Sequence, residues 1–214
     1  MQELAAPSGL RITSPIERLL RFCREEYDYY DGIADLEPNR ILPQDVLVTV
    51  AVNSFVTSAA AVRAVHRGLQ STCENLLPTI PVAAHIGDYD PDCSQLHALL
   101  DAAVQSRGVL VAVATKVLHR KRPHWLPMLD SVVCKHYLDS TGRQSLLPWL
   151  QDKKRAAAAA VEVFRVFRDD IQHTTPALEE IREVLACDGF ALSLVRIWEI
   201  LLWSEVEPQG YYRR

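Results

Sequence analysis

The apolar positions of this chain recur at intervals of three and four residues and rarely alternate. That spacing belongs to helices with one buried face rather than to strands. Residues 1–13 carry no clear period and read as a tail. Ser14-Pro15 then supplies a cap and a proline at the first helical position. Ile16, Leu19, Leu20, Phe22 and Cys23 follow at helical spacing, until Tyr27-Asp28-Tyr29-Tyr30-Asp31-Gly32 closes the segment. Pro43-Gln44-Asp45 opens the next helix, and Val46 to Val65 is apolar nearly all round, the mark of one central buried helix.

Residues 74–92 contain Pro78, Pro81, Gly87 and Pro91 and read as loop with at most a short helix. Asp92 to Gln105 forms a helix with Leu96, Leu99, Leu100 and Val104 on one face, and Gly108 is its stop signal. Residues 108–137 then give a glycine turn, a short apolar helix, a basic loop, and a Pro-x-x-Asp that opens a second apolar helix. Leu146 to Phe167 reads as one long helix with alanines at 156–160. Thr174-Thr175-Pro176 starts another, with Glu179 and Glu180 in its first turns, and Phe190 to Trp203 closes the fold. No repeat and no Gly/Ser linker interrupts this order. The expectation is an all-α protein, residues 1–214 forming a single helical domain, with two lobes and a cleft between them as the alternative.

Composition narrows the functional classes. Hydrophobic residues make up 49% and charged residues 23%, an ordinary globular balance. The net charge of −4 argues against a protein coated in nucleic acid while leaving room for a local basic cleft. Five cysteines lie singly, an odd count without any CxxC, which points to reduced thiols and excludes a compact cysteine-rich metal loop. No apolar run is long enough to span a membrane, and the N-terminus lacks a basic region followed by an apolar core. A cytoplasmic protein without membrane contact is expected. The seven histidines include no HExxH, so no metal site is expected. His85, Asp88, Asp90, Asp92 and Cys93 only superficially resemble a calcium loop, without its terminal glutamate.

The candidate chemistry centres on Asp130, a carboxylate at a helix start just after His119-Arg120-Lys121-Arg122-Pro123-His124, the dense cationic run of the chain. An aspartate there caps the helix by accepting backbone amides. The same geometry can aim a carboxylate at a ligand, and the run is a candidate phosphate contact, as much as a solvated loop.

Gly108-Val109 and the run to Leu118, with Ala114, followed by Leu126-Pro127-Met128-Leu129-Asp130-Ser131-Val132-Val133, resemble the core of the helix-hairpin-helix DNA glycosylases. The resemblance covers roughly residues 43–137. It implies a two-lobed helical bundle that binds double-stranded DNA, everts a base, and uses Asp130 to stabilise positive charge on the sugar as that base departs. It also implies DNA contacts at Gly108, Leu110 and Ala112 of the hairpin and at His119, Arg120, Lys121, Arg122 and His124. Asn53 and Ser54 would probe the duplex, and Trp125 and Tyr137, with Tyr27, Tyr29 and Tyr30, would be available to stack on a base.

Departures from that pattern sharpen the expectation. Leu110 replaces the second hairpin glycine, and Ala112 stands where bifunctional members carry a nucleophilic lysine. The resemblance therefore implies a monofunctional, cofactor-free enzyme acting on a damaged or modified base, including modified viral DNA in an antiviral setting. Lys116 is a secondary catalytic candidate one helical turn further on. The wider pattern of Lys116 and Arg120-Lys121-Arg122-Pro123 before the aspartate looks still more like an uncharacterised family of actinobacterial helical proteins. The competing expectation is a non-enzymatic helical module that binds nucleic acid or protein on the same scaffold.

Overall fold

The computed structural model describes residues 3–35, 37–88 and 92–206, and these are mostly helical. Helices α1 (Pro15–Glu26), α2 (Pro43–Leu47), α3 (Ala59–Cys73), α4 (Ser94–Gln105), α5 (Val111–Lys121), α6 (Ser131–Ser140), α7 (Ala156–Cys187) and α8 (Leu194–Val206) are joined by 3₁₀ turns and short loops. The all-α class holds. Long α7 forms the spine, with α4, α8, α1 and α6 packed around it. Its buried face runs through Phe164, Phe167, Ile171, Leu178, Ile181 and Leu185.

The first departure from expectation is at the N-terminus, where the tail is a hairpin. Strands β1 (Glu3–Ala5) and β2 (Arg11–Thr13) pair antiparallel with Leu4 opposite Ile12. Both of those side chains are buried and their neighbours are exposed. Three residues per strand are too few for the alternation to register as a period. The hairpin is fastened by polar contacts: Ser8 donates its amide (2.9 Å) and hydroxyl (2.6 Å) to the buried Asp170 of α7. Asp170 also accepts from the Tyr137 hydroxyl at 3.0 Å, which itself accepts from Trp198 Nε1 at 2.8 Å.

The expected central helix over 46–65 is broken. After α2 the chain tightens into a 3₁₀ turn (Val48–Val52), and Asn53 adopts a left-handed backbone (φ 59°). Ser58 then caps α3 through its hydroxyl and the Ala61 amide. Apolar side chains are left outside: Leu47, Val50 and Phe55 are exposed, Phe55 by 89%. Continuous hydrophobicity predicts burial all round, but part of it is surface.

The helix expected to start at Thr174-Thr175-Pro176 is instead the middle of α7. A proline inside a helix costs about 3 kcal/mol through its missing N–H and its ring clash. Burying Leu178, Ile181 and Leu185 on the continuing face returns about 1.5–3 kcal/mol each, so continuity wins. Upstream, residues 144–151 form a 3₁₀ segment with Pro148 inside it, rather than the first turns of that helix.

Candidate active site

The segment 126–130 is held from three sides. His119 Nδ1 meets the Leu126 carbonyl at 2.6 Å, the Leu129 amide donates to Thr115 Oγ1 at 3.0 Å, and the Met128 amide donates to Glu199 Oε1. This clamp delivers Asp130 to the N-cap of α6. Oδ1 accepts both the Val132 amide (2.9 Å) and the Val133 amide (3.0 Å), so capping engages one oxygen in the manner the sequence suggests. Asp130 is half-buried and lines a cavity of about 500 Å³.

That cavity lies between α1, the 3₁₀ turn at 48–52, α5, α6 and α8. Phe22, Ile200 and Trp203 give it apolar walls, with Met128 and Val133 beside Asp130. Its charged groups are of both signs: Arg18, Arg21, Lys116 and Arg196 against Glu25, Glu26, Asp130 and Glu199. Lys116, a buried residue of α5, donates through Nζ to the Asn53 carbonyl at 3.3 Å. Burial lowers its pKa from the ordinary lysine value, and the charge of Asp130 opposes that shift. Asn53 is exposed and lines the same cavity.

Tyr30, Arg196 and Glu199 of the cavity wall belong to a buried cluster that the sequence does not announce. Arg196 grips Asp31 through Nε (2.8 Å to Oδ1, 3.1 Å to Oδ2) and Nη2 (3.1 Å), and reaches Glu199 Oε2 with Nη1 at 3.3 Å. Arg196 and Arg120 each lie 5.5 Å from the Tyr30 ring centroid, and the Tyr30 hydroxyl donates to the Lys116 carbonyl at 2.7 Å. Burial raises the Glu199 carboxyl to about 8, against the pull of Arg196. A signal for this pair existed: Arg196 and Glu199 are charged residues three apart on one turn of an otherwise apolar stretch, LVRIWEILLW.

The basic run is not a loop on the rim, which corrects the expected phosphate contact. His119, Arg120 and Lys121 form the last turn of α5, and with Arg122 they are buried. Arg120 pairs with Asp45 at 3.3 Å, and Lys121 pairs with Asp45 (2.7 Å) and Asp35 (2.8 Å). Arg122 spends its guanidinium on the carbonyls of Leu77, Ile80, Pro38 and Lys121 and on Asn39 Oδ1. His119 is packed under Tyr30, and burial pushes its pKa down to about 4. His124 is half-buried against the His85 ring, 5.3 Å away. These cations organise the interior and are not presented to a strand.

Two stacking candidates are corrected as well. Trp125 is 1% exposed, and Tyr137 is buried in the Asp170–Trp198 network. Ser54, expected to probe the duplex, is 6% exposed, whereas Phe55 beside it projects outward. Tyr30 is buried and Tyr29 is exposed. Gly108 takes φ +76°, a left-handed conformation that favours glycine, and it is exposed together with Leu110, the N-cap of α5. Ala112 is half-buried one turn before Lys116. Among the described residues no group of three His, Cys, Asp or Glu side chains is arranged to hold a metal; Asp90 of the oxygen-rich 85–93 stretch lies outside them.

Residues 17–206 match the model of a family of unknown function, DUF6308, a span that contains every residue lining the Asp130 cavity. The chain belongs to that family. No curated protein and no solved structure matches it. Among the described residues of this DUF6308 protein, no helix is long and apolar enough to cross a membrane.

Proposed function

We propose that this DUF6308 protein is a monofunctional glycosylase-like hydrolase that removes a damaged or modified base from DNA, with Asp130 as its essential carboxylate. One observation carries the reading: Asp130 caps α6 through one oxygen while lining a cavity of about 500 Å³, within the roughly 300–1,000 Å³ typical of ligand sites. An anion so held stabilises the oxocarbenium-like charge that forms on a sugar losing its base, and it orients the attacking water. Its reach is greatest away from bulk water, and Phe22, Ile200 and Trp203 give the cavity an apolar wall. Phe22 and Trp203 take the stacking role expected of Trp125 and Tyr137.

The DNA contacts move with the corrections. The exposed hairpin around Gly108 and Leu110 remains, and Arg67 and Arg107, each next in sequence to the close Gly68–Ser106 approach, are exposed beside it. Asn53 and Phe55 replace Asn53 and Ser54 as the duplex probe, since a side chain exposed by 89% is free to enter a base stack. Lys116 is held on the Asn53 carbonyl and serves as the counter-charge to Asp130, not as a nucleophile. Incubation with duplexes carrying altered bases, hypermodified cytosines of viral DNA among them, should yield abasic sites without strand scission. Borohydride trapping of a covalent adduct that disappears in Lys116→Gln would overturn the monofunctional reading.

A second reading is a helical module that binds nucleic acid or protein without chemistry. Leu110 in place of the second hairpin glycine and Ala112 in place of the lysine favour it, because each removes an element of the resembled machinery. It predicts salt-sensitive binding that leaves DNA intact.

A further inference from the structure

Glu199 is a buried carboxyl group in the wall of the Asp130 cavity, with its side chain 4% exposed. Among the described residues it accepts hydrogen bonds from the Met128 amide and from Arg196 Nη1. The guanidinium it touches is already engaged by Asp31 through three contacts. An ionised Glu199 would thus be a second anion on one cation, leaving the buried trio with a net negative charge. A protonated Glu199 leaves it neutral. The charged and titratable groups facing Glu199 are Arg196 on its own helix, Asp31 and Tyr30 after α1, Lys116 on α5, and Asp130 and Tyr137 at α6. Of these, Asp31, Asp130, Tyr30 and Tyr137 offer no positive charge, Arg196 is shared with Asp31, and Lys116 is held on the Asn53 carbonyl with Asp130 also drawing on its charge.

Resting on the glycosylase reading above, we propose that Glu199 is the proton donor to the departing base, which fits the cavity to neutral bases rather than cationic alkylated ones. A neutral base is a poor leaving group until a ring nitrogen or oxygen is protonated, whereas a cationic base leaves without help. In the step, water oxygen bonds to C1′ as the C1′–N bond breaks. The electron pair of that bond passes to the base, which takes the Glu199 proton, and the water gives up its proton to Asp130. Exchange with solvent restores both carboxyl groups. The same burial that holds the carboxyl group at about 8 keeps its proton in place at neutral pH.

The test uses the full chain and two measurements. Infrared titration of the resting protein should show a carboxylic-acid carbonyl band that titrates near pH 8 and is absent in Glu199→Gln. Single-turnover cleavage should compare duplexes carrying uracil or hypoxanthine with duplexes carrying 7-methylguanine. Glu199→Gln should lose about 100-fold or more on the neutral bases and remain within a few-fold of wild type on the cationic one. The alkaline fall of the wild-type rate profile should vanish with it. A missing infrared band, or equal losses on both kinds of base, overturns the proposal while leaving the glycosylase reading intact. A band present in a protein that releases no base from any duplex overturns both, and shows that the failure lies in the reaction rather than in the buried acid.

Discussion

Replacing Asp45 with alanine tests whether the cationic run is interior scaffolding. The Asp45 side chain is 1% exposed; Oδ1 faces Arg120 Nε at 3.3 Å, and Oδ2 faces Lys121 Nζ and the Leu42 amide at 2.7 Å each. Removing it leaves Arg120 with the carbonyls of Tyr30 and Ile33, and Lys121 with Asp35 and the Glu37 carbonyl. Breaking a buried ion pair from one side costs about 3–5 kcal/mol. Lys121 keeps a carboxylate partner, so the lower end, about 3 kcal/mol, applies. For a chain of this length each kcal/mol moves Tm by about 2–4 °C, which gives a fall of roughly 6–12 °C. Urea unfolding followed by far-UV circular dichroism reads the loss directly. Repeating it in high salt should change the difference little, because buried pairs are weakly screened. A loss below about 1 kcal/mol would refute the reasoning, most clearly if Arg120→Gln and Lys121→Gln kept wild-type Tm but lost DNA affinity.

Three further outcomes follow from other parts of the molecule. His119 holds a folded pKa of about 4 against 6.5, so the native state binds fewer protons than the unfolded chain between those values. Stability should therefore fall as pH drops from 6.5 towards 4, by up to about 3 kcal/mol, and His119→Gln should flatten that limb of a pH series of denaturation midpoints. A Cβ on Gly68 would lie 2.7 Å from Ser106 Cβ, so Gly68→Ala should destabilise by about 1–3 kcal/mol, with Ser106→Gly restoring much of it; independent, additive effects would contradict the close approach. Phe55→Ala should leave the unfolding midpoint within about 0.5 kcal/mol while abolishing duplex distortion measured by a fluorescent base analogue; a large stability loss would mean that Phe55 is packed.

Local chemistry was readable from the sequence, and long-range pairing was not. The helical period, Pro15 in the first turn of α1 and the Asp130 cap each depend on neighbours within four residues and are found as expected, whereas Ser14 takes a left-handed backbone (φ 49°) and makes no capping bond. The basic run misled because its partners Asp35 and Asp45 lie more than seventy residues away along the chain, so nothing local distinguishes a buried cation from a solvated one. Pro176 misled for a related reason. Proline signals a helix start locally, but burial of Leu178, Ile181 and Leu185 carries α7 through it. The Asp31–Arg196–Glu199 cluster joins residues 165 positions apart, and only the two charges within an apolar helix hinted at it.

The most direct test of the account is the rate of base release by Asp130→Asn on the best duplex substrate of the panel. Asparagine is as good an N-cap as aspartate, so the fold should persist, with the unfolding midpoint little changed. The account predicts a fall of about 100-fold or more in single-turnover rate, because the negative charge facing the sugar is gone. An Asp130→Asn protein that releases base at the wild-type rate would contradict it.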